Sequence, residues 1–230
     1  MLLREMTASC GAWWRPRRKP ARITHPDDRA ARPRPHTAAR PAPSSVIPMT
    51  ARTTYLLVDG ENIDATLGVS VLGRRPQPDE RPRWNKLLQH AEHAWHQPVR
   101  GLFFLAVGDS LPSGFVQALI ALGYKAIPLR GEGKVVDIAI QRTAEALLER
   151  DADVMLVSHD NDFTPQMEAL AQDEGRRLGV VGFGEFMAGG LRQVDGVEFF
   201  DLEYDVSAFK SRLPRVRVIE IDEFDPLEFI

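Results

Sequence analysis

Six short apolar runs, separated by stretches with helical spacing, set most of what this chain can fold into. The runs are Thr53–Val58 (TTYLLV), Val99–Val107 (VRGLFFLAV), Tyr124–Leu129, Val154–Ser158 (VMLVS), Leu178–Phe183 and Val197–Leu202. They are short and nearly continuous, the pattern of strands buried on both faces of a parallel sheet rather than of half-exposed strands. Between them, Trp84–Trp95, Ser113–Leu122, Lys134–Arg150 and Pro165–Asp173 carry apolar residues at helical intervals; in the first, Trp84, Leu87, Leu88, Ala91 and Trp95 share one face. Gly123 and Gly175 stand where two of these helices should stop, and Pro165 suits a first turn. Shorter helical stretches are expected at Asn62–Leu67 and Glu185–Leu191, with Gly68–Pro82 a loop. Strand alternating with helix predicts a three-layer α/β/α domain with a mainly parallel sheet.

Charge divides the chain. Residues 1–50 hold ten Lys and Arg against three acids, a net +7, whereas the remainder carries −10. Eight of the 17 prolines fall in that basic head, where no apolar period survives, so residues 1–52 are expected to be disordered. Two readings of the head stand: a basic arm for nucleic acid, or a segment upstream of a translation start at Met49. The folded domain is expected over 53–205, and residues 206–230 as an acidic tail that either adds an edge strand at Val216–Ile221 or stays mobile. The single cysteine, Cys10, excludes an internal disulfide, and no apolar run is long enough for a membrane helix; both fit a cytoplasmic protein.

Open parallel sheets build their sites beyond the carboxyl ends of the strands, so acids just past those ends carry weight. Asp59 follows the first run, Asp160 and Asp162 follow Val154–Ser158, and Asp137 opens the long helix after the third run. Each acid alone could be a helix cap or a solvated side chain. Together they would crowd negative charge into one pocket, and that repulsion is relieved either by protonation or by a divalent cation. Ligands made only of oxygen favour Mg²⁺ or Mn²⁺, and no Cys/His pair stands at zinc spacing. Such ions recruit phosphate oxygens and activate water, which points to phosphodiester hydrolysis.

Three segments, Val58-Asp59-Gly60-Glu61-Asn62-Ile63, Lys134-Val135-Val136-Asp137-Ile138-Ala139 and Ser158-His159-Asp160-Asn161-Asp162-Phe163, resemble in content and order the three motifs of NYN domains, the PIN-like branch that includes LabA-like proteins. The resemblance spans about Tyr55 to Asp201. It implies a PIN-like fold and a Mg²⁺- or Mn²⁺-dependent ribonuclease acting on RNA, with endonucleolytic cleavage expected. It also implies metal or catalytic roles for Asp59, Asp137, Asp160 and Asp162, and a supporting or phosphate-bonding role for Asn62. Two positions depart from the pattern: Val135 replaces a common glycine, and His159 a small residue.

Further candidates are weighed against plainer roles. Lys134 is either a phosphate contact or a solvated helix start. Ser158 either bonds the acidic network and substrate side or caps the strand. His159 is read as a loop side chain before a proton shuttle. Arg74 and Arg75, with Arg81, Arg83 and Lys86, would form a basic lip for RNA around an acidic hole, or ordinary surface charge. Two other functions compete: a non-catalytic regulatory or RNA-binding module on the same fold, and a haloacid-dehalogenase-like phosphatase using Asp59 and Glu61. A homodimer is compatible with the sequence, no stable protein partner can be inferred from it, and no membrane association is expected.

Overall fold

The computed structural model describes residues 52–215, 219, 221–228 and 230. The expectations for residues 1–51 and for most of the Val216–Ile221 strand therefore lie outside the described residues. Six strands form one sheet: β1 (Thr53–Asp59), β2 (Val99–Ala106), β3 (Lys125–Leu129), β4 (Ala152–Val157), β5 (Leu178–Gly182) and β6 (Val197–Asp201). All five pairings are parallel, in the order β3-β2-β1-β4-β5-β6. Every residue of β4 and β5 is buried, as their unbroken apolar character requires.

Six helices connect the strands: α1 (Gly60–Thr66), α2 (Trp84–Trp95), α3 (Ser113–Ala121), α4 (Val135–Leu147), α5 (Thr164–Ala171) and α6 (Gly189–Arg192). Side chains from the sheet alternate between two cores. Leu56 and Val58 of β1 pack with Trp84, Leu87 and Trp95 of α2 and with Val116 and Leu119 of α3. Leu57 between them points the other way, to Val136, Ile140, Ala144 and Leu147 of α4 and to Met167 and Leu170 of α5. The layers are thus α/β/α, as the alternation of the sequence predicts.

Two segments differ from expectation. The first part of the expected loop, Gly68–Leu72, is instead helical: Leu67–Leu72 forms a π-helical continuation of α1, ended by Gly73 in the left-handed region (φ 65°). Leu67 is fully buried there, and that apolar anchor holds the backbone in a winding that a count of Gly and Pro would not suggest. The expected boundary at residue 205 is not where packing stops. Val206, Ala208, Phe209 and Leu213 belong to the α2-side core, and Phe209 stacks on Phe183 at 5.8 Å. The returning chain thus adds to α2 in covering that face of the sheet. Among the described residues no helix is long and apolar enough to cross a membrane.

Candidate active site

The strand order puts β1 beside β4 at the centre of the sheet. From there the chain runs outward to β3 on one side and to β6 on the other. At such a reversal the connections leave on opposite faces and open a crevice at the carboxyl ends of the two central strands. Val58 is level with Val157 across this pair, so Asp59 and Ser158 emerge side by side at the crevice.

Asp59 is 3% exposed. Its carboxylate caps α1, accepting the Asn62 amide at 3.0 Å, and takes the Ser158 hydroxyl at 3.2 Å. Burial raises its pKa from 3.8 to about 6; the Asn62 amide opposes that rise, and the nearby charge of Asp137 adds to it. Ser158 is fully buried and also accepts the Asp160 amide at 3.2 Å. Its hydroxyl joins Asp59 to the loop after β4 and is closed to any substrate. These bonds belong to the acidic-network role expected of Ser158 rather than to its plainer alternative, a cap on the strand.

Asp137, Asp160 and Asp162 come together from two separate segments. Each offers one carboxylate oxygen, and the three oxygens lie within 4.8 Å of one another. Asp137 is on the first turn of α4, beside the buried Val136. Asp160 caps the 3-10 turn Asn161–Phe163 by accepting the Asp162 amide at 2.9 Å. Asp59 lies deeper, outside this trio but close enough to feel Asp137. The Lys134 ammonium sits among the three, 2.5 Å from Asp162, 3.4 Å from Asp137 and 3.9 Å from Asp160. Hydrogen bonds to Asp162 and Asp137 raise its pKa, so it is a full positive charge. The donor set fits a hard divalent ion: oxygen only, anionic, and at a spacing an ion can span.

Asn62 supports rather than faces the crevice. Its side-chain oxygen accepts both the His159 amide and the His159 ring Nδ1, each at 2.9 Å. His159 lies in the loop after β4, as expected, but it is a buried structural residue there. It is 5% exposed, and its Nε2 accepts the Phe183 amide at 2.7 Å, which leaves the proton on Nδ1 for Asn62 and Thr66. Burial drops its pKa to about 4, so it stays neutral and ties α1, β4 and β5 together. One residue away in β5, a Cβ on Gly182 would meet the His159 Nε2 at 2.7 Å. The chain spacing of these two residues carries no hint of that contact.

The basic lip is mostly committed elsewhere. Arg74 makes a two-point ion pair with Glu80 at 2.6 and 2.8 Å, Arg81 pairs with Asp64 at 3.0 Å, and Arg83 donates to the carbonyls of Ser207 and Phe209. The Arg75 guanidinium makes no ion pair among the described residues; with Arg74, Glu61, Asp64 and Val69 it lines a cavity of about 560 Å³ beside α1. Glu61 accepts the Ala106 amide at 2.8 Å, fastening α1 to the end of β2. That bond occupies the acid a phosphatase would need two residues beyond Asp59. A contrast at the opposite end of the sheet shows what a structural acid looks like. Asp153 is buried and bonded by the Arg177 amide, Gln97 and Arg52, and it faces no crevice.

Asp59 gives a pH-dependent prediction. Its folded pKa lies above its unfolded one, so ionising it costs stability that builds from about pH 4 to about pH 6 and is constant above. His159 acts in the opposite sense: its folded pKa is depressed, so stability falls as pH drops from about 6.5 to about 4. The two slopes oppose each other in one window. Asp59→Asn removes one of them and is expected to be more stable than the parent at pH 8 by on the order of 2 kcal/mol, with the gain vanishing near pH 4. Urea denaturation in chelator across pH 4–8 measures this; an equal or lower stability of the variant at pH 8 would refute it.

Comparison with known proteins agrees with this architecture. A search of curated proteins finds no match. Among solved structures, a protein of unknown function from Vibrio parahaemolyticus RIMD 2210633 superposes with a TM-score of 0.56 at 18% identity, covering 68% of this chain and 96% of that one. At that identity the likeness speaks for the fold alone. The NYN domain matches residues 53–203, which contain the whole sheet and all four crevice acids. The chain therefore belongs to the NYN domain family, a PIN-like nuclease family.

Proposed function

We propose that this domain is a ribonuclease that uses Mg²⁺ or Mn²⁺ to hydrolyse RNA phosphodiesters endonucleolytically. The observation that carries the reading is the trio Asp137, Asp160 and Asp162, with oxygens within 4.8 Å of one another, above the buried Asp59 at the crevice of the sheet. Asp137, Asp160 and Asp162 would hold the ion, with Asp59 completing the negative field beneath it. Bound there, the ion would activate water and neutralise charge building on the phosphate. Asn62 and Ser158 act on the protein side, holding the β1 and β4 ends in register so that the acids keep their spacing. Lys134 at the crevice, and Arg75 with the Glu80-paired Arg74 at the cavity beside α1, supply local cations for phosphates in a domain of net negative charge.

The test is cleavage of end-labelled single- and double-stranded RNA with Mn²⁺ and with Mg²⁺, using the full chain. Internal products that disappear on adding chelator are the expected result. RNA that binds tightly and stays intact under all metal conditions would instead favour a non-catalytic binding module.

A further inference from the structure

The Lys134 ammonium occupies the middle of the carboxylate trio. It contacts all three acids, at 2.5, 3.4 and 3.9 Å, although its side chain is 63% exposed. Lysine is a compact charge on a flexible four-carbon stem, with no fork to lock it in place. Gly133, in the left-handed region (φ 73°), turns the chain so that Lys134 precedes α4 and its stem lies back across the acids of the same crevice. Its backbone is fixed by the helix start, while the stem is held only by its charged tip.

We infer that Lys134 is a displaceable counter-ion that couples ion binding to phosphate binding. The inference rests on the metal-dependent reading above. An ammonium and a divalent ion cannot share this trio. Mg²⁺ draws carboxylate oxygens to about 2.0–2.1 Å, nearer than any contact Lys134 makes here, and two cations at that range repel. The ion takes the oxygens and the lysine tip swings out. The same exposed stem leaves the released ammonium at the mouth of the crevice, where the nearest unneutralised anion is the RNA phosphate. Coupling of this kind is reciprocal: a phosphate that captures Lys134 unmasks the carboxylates, so RNA tightens ion binding as much as the ion tightens RNA binding. Lys134 is then a positioning residue that engages phosphate when the ion is in place, and a stabiliser of the acidic trio when it is not.

The test follows the lysine tip directly. Full-length protein labelled with ¹⁵N at lysine Nζ is titrated with Mg²⁺, and the Lys134 ammonium signal is assigned by its absence in Lys134→Met. The expected result is a hydrogen-bonded ammonium signal in chelator that is lost to solvent exchange as Mg²⁺ saturates. Calorimetry should show Lys134→Met binding Mg²⁺ roughly tenfold tighter than the parent, within the usual range of such couplings. Uncleaved RNA analogue should bind the parent several-fold more tightly than the variant only when Mg²⁺ is present. A Lys134 signal that persists at saturating Mg²⁺ overturns the displacement and leaves the metal reading standing. Absence of Mg²⁺ binding in both proteins overturns the two together.

Discussion

Asp137→Asn is expected to lower metal-dependent RNA cleavage by at least about a hundredfold while leaving the domain folded. Removing only an outer hydrogen bond to a metal ligand typically costs about 10- to 100-fold, so neutralising a ligand should cost at least the upper end. Asp137 suits the test because its carboxylate has no second duty. It caps nothing, its side chain is 17% exposed, and its ion-pair partner is Lys134. Asparagine matches it in shape, so Val136 and Ile140 keep their places in the core beneath. Asp160→Asn makes a useful companion. It retains the oxygen that accepts the Asp162 amide, and with it the local turn, but surrenders the charge. Both variants should melt within a few degrees of the parent. Cleavage rates equal to the parent for either variant, measured as kcat/KM with Mn²⁺, would remove the trio from the mechanism.

The second large effect concerns stability and lies outside the crevice. Arg215→Ala is expected to destabilise the domain by about 3–5 kcal/mol, the usual result of deleting one partner of a buried ionic cluster. The Arg215 side chain is only 4% exposed. It donates to Asp201 at 2.6 and 2.9 Å, to Glu203 at 3.1 Å and to Glu185, and its guanidinium lies 4.9 Å from the Phe183 ring and 5.1 Å from that of Tyr204. Burial pushes the Asp201 and Glu185 carboxyls up, but the Arg215 hydrogen bonds outweigh it and hold both below the usual range. Without the arginine, these acids would be left half-buried beside one another. For a domain of this size the loss corresponds to a melting point lower by roughly 10 °C. Arg215→Lys should fall between, because it keeps the charge but not the planar fork. A melting shift under about 2 °C for the alanine variant would show that the cluster contributes little net stability.

The contrast between these two predictions marks where the sequence is legible. Acids placed directly after apolar runs can be assigned to one edge of a parallel sheet, because helices connecting successive strands make those strands run the same way. That reasoning reaches Asp59, Asp137, Asp160 and Asp162 without coordinates. It fails for Arg215, which lies among other basic residues (Lys210, Arg212, Arg217) in a stretch with no helical apolar period. Its three carboxylate partners come from residues 12 to 30 positions away, and nothing local announces the pairing. It fails likewise for His159, whose role depends on Asn62 and Thr66 being brought beside it from more than 90 residues earlier in the chain. The basic loop misleads in the opposite way. Composition counts Arg74, Arg81 and Arg83 as free charge, but the fold assigns each an acceptor.

The alternation of buried runs and amphipathic helices determined the α/β/α architecture by itself, since each element's period dictates which surfaces must be covered. The ordered acidic motifs likewise determined which side chains meet at the crevice. Only the tertiary structure decided how those acids differ from one another. Burial pushed the Asp59 pKa up, and spacing left Asp137, Asp160 and Asp162 as the trio that can share a cation. Only the fold, too, put the Lys134 ammonium in their midst. Desolvation and distances between charges are properties of the folded space, and a linear sequence does not contain them until long-range packing has set the dielectric and brought the segments together.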